Sequence, residues 1–131
     1  MDDLPGLIRG SWYNQLSSHL LLEANGSGRL SGSLRSGVGE APNHFPLTGF
    51  FSPGLKAKGA VLSFVVSWTD VHSLTTWAGH YDPDENVITA TWLLTGAADE
   101  WRSMSIGHDL FSRTSLRGGG QVPDAGSVPY L

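Results

Sequence analysis

Several short segments of this chain set polar side chains beside tryptophans. Apolar walls with a few placed donors and acceptors are what a small-molecule site requires. In Ser73-Leu74-Thr75-Thr76-Trp77-Ala78-Gly79-His80-Tyr81, strand alternation puts Ser73, Thr75 and Trp77 on one face. The same alternation groups Asn14 and Ser18 with Trp12, ends one face at Ser36, and turns Trp68 and Trp92 inward with their neighbours. If those faces line one interior, several hydroxyls and an amide are buried there. Each would cost roughly 1–3 kcal/mol if left unpaired, so a ligand or ordered water must pair them.

Other chemistries fit less well. Ser36, His72 and Asp109 supply the residue types of a hydrolytic triad. However, there is no Gly-x-Ser-x-Gly turn and nothing that places an oxyanion hole, so the chain does not read as an enzyme. His44, His72, His80 and His108 sit on different segments without ligand spacing, so neither a metal nor a cofactor is expected.

The elements that position these residues read as strands. The chain has 131 residues, 40% hydrophobic and 15% charged, with 17 glycines and 7 prolines, which suits a folded domain with many tight turns. Net charge is −4 and lysine or arginine nowhere clusters, so neither a nucleic-acid nor a membrane surface is expected. The absence of cysteine removes disulfides and thiolate chemistry. No apolar run approaches the ~18–20 residues of a membrane-spanning helix.

Alternation predicts strands at Gly10–Leu16, His19–Glu23, Arg29–Ser36, Pro46–Phe51, Ala60–Trp68, Ser73–Tyr81, Val87–Leu94 and Ser103–Arg113. Asn25-Gly26-Ser27-Gly28 and Asp82-Pro83-Asp84 are turn signals. No segment has sustained helical periodicity. Eight short strands with tight turns predict an all-β fold: an antiparallel up-and-down barrel of simple meander topology, or else a sandwich. We expect residues 1–8 to be an N-terminal extension, 9–115 the barrel, and 116–131 a flexible tail after Gly118-Gly119-Gly120.

The last strand leaves its inner face open. One face holds Ser105, Gly107, Asp109 and Phe111, the other Met104, Ile106, His108 and Leu110. Taken alone, the second is the more apolar. Either it faces in and Asp109 is a surface residue, or Asp109 is a functional carboxylate and the apolar face is outward, covered by another subunit.

Gly10-Ser11-Trp12-Tyr13-Asn14-Gln15-Leu16 resembles the start of the avidin/streptavidin family. So do Leu47-Thr48-Gly49, Thr75-Thr76-Trp77-Ala78-Gly79-His80-Tyr81, Thr91-Trp92-Leu93-Leu94-Thr95 and Ile106-Gly107-His108-Asp109-Leu110-Phe111, in the family's order and nearly its spacing. The resemblance covers roughly residues 9 to 115. It implies an eight-stranded barrel that binds biotin at its open end, with Asp109 inside.

Residue by residue, the resemblance implies that Asn14 and Ser18 hold the ureido oxygen of biotin. The family's third donor there is a tyrosine, and Leu34 stands at the matching position. Ser36 and Asp109 would accept from the ureido nitrogens, and Thr75 would lie against the thioether sulfur. Trp68, Trp77 and Trp92 would wall the ring and valeryl chain, beside Leu16, Val38 and Leu94. Ser73 and the backbone of Val38-Gly39-Glu40 would meet the ligand carboxylate, with Glu40 where the family often has asparagine. Trp101 matches a position that reaches into the neighbouring subunit's site, which implies a homotetramer built as a dimer of dimers. The family also implies a secreted or periplasmic protein that sequesters biotin; Met1-Asp2-Asp3-Leu4-Pro5 has no signal peptide character. The alternative is a barrel of this kind with weakened biotin binding that accepts another ligand, such as a peptide or its own C-terminal tail.

Overall fold

A computed structural model describes residues 3–36, 44–54, 58–68, 72–96 and 104–115. After a short helix α1 (Leu4–Ile8) come eight strands: β1 (Gly10–Tyr13), β2 (His19–Ala24), β3 (Arg29–Arg35), β4 (Phe45–Pro53), β5 (Ala60–Trp68), β6 (Ser73–Asp82), β7 (Val87–Gly96) and β8 (Met104–Phe111). They form one antiparallel sheet in sequence order, the meander expected from the alternation. The sheet curls until its first and last strands meet, where Tyr13 and Ser112 exchange two backbone hydrogen bonds of 2.8 Å. The sandwich alternative is therefore ruled out.

The turns form for the reasons their residues suggest. Asn25 Oδ1 accepts the N–H groups of Ser27 and Arg29, each at 3.0 Å, which tightens the β2–β3 hairpin. Asp82 Oδ1 accepts the N–H of Asp84 at 2.9 Å and starts the β6–β7 turn. β1 is shorter than the sequence predicts. Asn14 Oδ1 takes the N–H groups of Leu16 at 2.9 Å and Ser18 at 2.8 Å, so the chain turns at Asn14 rather than continuing to Leu16.

Inward positions stack in layers across the ladder. Phe64, Trp77, Trp92 and Gly107 make one row, and Leu62, Gly79, Ala90 and Asp109 the next. At Gly107 a Cβ would lie 2.1 Å from Trp92 Cζ2, so glycine is what lets that indole lie across β8. The far end of the barrel is closed by α1. Ile8 is fully buried, and its carbonyl accepts Trp12 Nε1–H at 2.8 Å. Arg113 fastens this end, donating to the carbonyls of Leu7, Arg9 and Ser11 at 2.7, 3.0 and 2.9 Å. Its guanidinium lies 3.7 Å from the centre of the Trp12 ring. A helix of five residues is too short to leave a periodic signature in the sequence.

Candidate ligand-binding site

The β1–β2 turn sets the site's first donors. Because Asn14 Oδ1 is held by two backbone N–H groups, the amide can present only its Nδ2 to the interior. One N–H of that nitrogen points to Asp109 Oδ1 at 3.3 Å, and the second has no acceptor among the described residues. Ser18 ends the turn and is buried beside it.

Asp109 is 3% exposed, so its carboxylate needs donors, and it has them. Trp77 Nε1–H donates to Oδ2 at 2.8 Å, while Gln15 Nε2–H at 3.0 Å joins Asn14 on Oδ1. The apolar alternate face of β8 points out instead: Met104 is 60%, Ile106 62% and Leu110 49% exposed. That settles the ambiguity of the last strand.

The walls are aromatic. Trp77 stacks on Phe64 with ring centres 5.0 Å apart, and Trp92 is its neighbour across the β6–β7 ladder. Trp68 ends β5 and donates its Nε1–H to Thr75 Oγ1 at 2.7 Å. The Thr75 hydroxyl is fully buried, and its own proton has no acceptor among the described residues. Phe45 meets the Trp68 ring edge-on at 4.9 Å. Leu34 lies opposite Phe45 on one side and Leu20 on the other, a fully apolar stretch of wall next to the Ser18 end of β2.

Ser73 starts β6 at the rim, paired with Trp68 and Gly96. Its Oγ is buried with no hydrogen-bond partner, alone in this among the described residues. Ser36, just past β3, and Leu94, beside Thr75, are half-buried. Leu16 is half-buried in the turn rather than on a strand. Val38, Gly39, Glu40 and Trp101 lie outside the described residues.

Contacts thus bring some of the sequence-derived candidates together in two groups: Asn14, Asp109 and Trp77, and Leu34, Trp68 and Thr75 with Phe45. Gln15 and Phe45 were not among those candidates. Gln15 alternates outward in a strand reading, and its partners are the Asp109 carboxylate, the His108 carbonyl and the Leu110 N–H, far away in sequence. Phe45 was legible, since alternation back from Leu47 puts it on the inner face. On the outer side of this end, His19 stacks on Tyr13 and bonds Ser11 Oγ at 2.9 Å. Burial first, then Arg35 and His44, hold the His19 pKa below its ordinary value.

The arrangement is suited to binding. It sets a buried amide N–H at Asn14 and a buried carboxylate at Asp109 beside flat apolar walls. Among the described residues no group of three metal-ligating side chains converges, and no helix is long and apolar enough to cross a membrane. A family model described as Avidin family matches residues 4–114.

Proposed function

Because the chain belongs to the avidin family, we propose that it binds biotin tightly and without covalent chemistry in the open end of the barrel. The observation that carries this reading is the buried Asn14–Asp109–Trp77 network beside tryptophan walls, with the buried, unpartnered Ser73 hydroxyl at the rim. The ureido oxygen accepts from Asn14 and Ser18, and the ureido N–H groups donate to Ser36 and Asp109. Each such bond favours the charge-separated form of the urea, and an ionised acceptor does so most strongly. Thr75 offers its O–H to the thioether. Trp68, Trp77, Trp92, Leu16, Val38 and Leu94 surround the apolar part, and large rigid rings lose little rotamer freedom in doing so. Ser73 and the Val38-Gly39-Glu40 backbone receive the ligand carboxylate.

Leu34 makes this site weaker than one with a third donor on the ureido oxygen, by about 1–2 kcal/mol. The protein acts as a homotetramer, with Trp101 completing a neighbour's site, and its setting is secreted or periplasmic. Isothermal titration and competition kinetics with biotin test the reading. Saturable binding at one biotin per chain is expected; a folded protein that takes up no biotin overturns it. Under the second reading a peptide ending in the sequence of residues 121–131 would compete with biotin for the site.

A further inference from the structure

The barrel closes along its least-paired seam. β6 and β7 pair without interruption from Ser73 with Gly96 to Asp82 with Val87. β1 and β8 share one bridge, Tyr13 with Ser112. Beyond it Asn14 turns the chain away, because its Oδ1 takes the N–H groups of Leu16 and Ser18. In an antiparallel ladder every second residue turns both its N–H and its C=O to the same side. Ser112 faces β1, so Leu110 and His108 also face the seam. Their peptide groups need other partners, since the strand that would have supplied them has left.

The Gln15 side chain supplies partners. Its Oε1 accepts the Leu110 N–H at 3.1 Å, and its Nε2–H groups donate to the His108 carbonyl at 3.1 Å and to Asp109 Oδ1 at 3.0 Å. A primary amide carries one oxygen acceptor and two N–H donors in a plane. Here the oxygen and both donors are committed to consecutive residues of β8. The amide stands in for a peptide unit of β1 and also holds the carboxylate set between the two backbone groups. Asn14 reaches the same carboxylate oxygen at the longer distance of 3.3 Å.

We propose that Gln15 is a positioning residue for the ligand acceptor: by finishing the seam with its side-chain amide, it fixes Asp109 and the turn from Asn14 to Ser18 in one frame. The inference rests on the biotin reading above, in which Asp109 accepts a ureido N–H while Asn14 and Ser18 donate to the ureido oxygen. Those groups lie on opposite sides of the seam, on β8 and on the β1–β2 turn. A ligand that spans both gains from all of them at once only if the seam is set beforehand; otherwise binding itself must order it. The barrel does not depend on Gln15 for closure. Tyr13 and Ser112 still exchange their two bonds, and the hydroxyls of Ser17 and Ser115, 3.2 Å apart, tie the same turn to the chain after β8. Loss of the Gln15 amide therefore acts on the site more than on the fold.

Two substitutions separate the seam from the carboxylate. Gln15→Met keeps the side chain's length and loses all three bonds. Gln15→Glu keeps an oxygen for the Leu110 N–H, loses both donors and sets a like charge against Asp109. On the full chain at pH 7.5, with the fold checked by circular dichroism, amide hydrogen exchange at Leu110 reads the seam bond, and biotin titration with dissociation kinetics reads the site. Leu110 is expected to exchange faster in Gln15→Met and close to the parent rate in Gln15→Glu. The biotin dissociation constant is expected to rise about tenfold in Gln15→Met and at least about tenfold further in Gln15→Glu. In an Asp109→Ala background, Gln15→Glu should cost less than about threefold, since the group it acts through is gone. Affinity that followed Leu110 exchange, lost in Gln15→Met and kept in Gln15→Glu, would make Gln15 a seam residue only and overturn the inference. A folded Gln15→Met within about threefold of the parent, or an undiminished loss in the Asp109→Ala background, would do the same and leave the biotin reading standing. A folded parent that takes up no biotin would overturn the biotin reading itself, and this inference with it.

Discussion

Replacing Asp109 by Asn separates the carboxylate's role in the fold from its proposed role toward biotin. Asp109 accepts at both oxygens: Asn14 and Gln15 on Oδ1 at 3.3 and 3.0 Å, and Trp77 on Oδ2 at 2.8 Å. An asparagine has one oxygen and one NH₂ group. Turning the NH₂ toward Trp77 opposes one donor, and turning it the other way opposes two, so the first orientation is favoured. It forfeits one charge-assisted bond, about 1.5–3 kcal/mol, and weakens two others by about 1 kcal/mol each. Against that, the substitution removes a buried charge whose desolvation costs several kcal/mol. The two effects nearly cancel, and the unliganded variant should lose no more than about 2 kcal/mol. Biotin gains nothing from that cancellation. Its N–H loses an ionised acceptor, about 1.5–3 kcal/mol or roughly 10- to 150-fold in affinity, and the displaced Trp77 indole adds to the loss. Competition kinetics and urea unfolding on the same preparation read both numbers. A folded variant that binds biotin within about threefold of the parent would refute the assignment of Asp109 as a ligand acceptor.

Leu34→Tyr restores a phenol beside Ser18 and is expected to tighten biotin binding by about 1–2 kcal/mol, seen chiefly as a slower dissociation rate; an unchanged rate in a folded variant would remove the donor argument. Arg113→Ala deletes three hydrogen bonds to carbonyls of the chain's start and a cation on the Trp12 face, and should lower urea stability by about 2–3 kcal/mol while leaving the site's polar network in place. Lysine there should recover less than half, because one ammonium cannot span three carbonyls. For His19, burial together with Arg35 and His44 lowers the native pKa, so the unfolded chain binds the proton more readily. Its contribution to stability is therefore intact above the ordinary histidine range and is lost as pH falls through that range toward the lowered native value. His19→Gln should flatten the dependence of unfolding midpoint on pH between 7 and 5.5, and a parent whose midpoint does not fall over that interval would refute the assignment.

Much of the barrel was legible because its signals are local. Alternation on β5, β6 and β7 separates Leu62, Phe64, Val66 and Trp68, or Trp77 and Trp92, from their polar neighbours, and the inner faces follow directly. Asn25-Gly26-Ser27-Gly28 and Asp82-Pro83-Asp84 marked turns through chemistry that needs no distant partner. Where a side chain captured backbone, boundaries moved: Asn14 ended β1 at Tyr13, earlier than a run of strand-forming residues suggests. Helix α1 left no trace, since its stability comes from burying Ile8 under Trp12 rather than from its own five residues.

Residue types and period two thus determined the number of strands, their order as a meander and the set of polar residues grouped with tryptophans. They could not determine which face of Met104–Phe111 turns inward, because hydrophobicity favoured the wrong one. Curling the sheet decided it. Closure brings Asn14, Gln15 and Trp77 around Asp109, so a carboxylate finds three donors inside, and it sets Gly107 under the Trp92 indole where any Cβ would collide. Such contacts join residues far apart in the chain, and their energy exists only once the strands between them are in place.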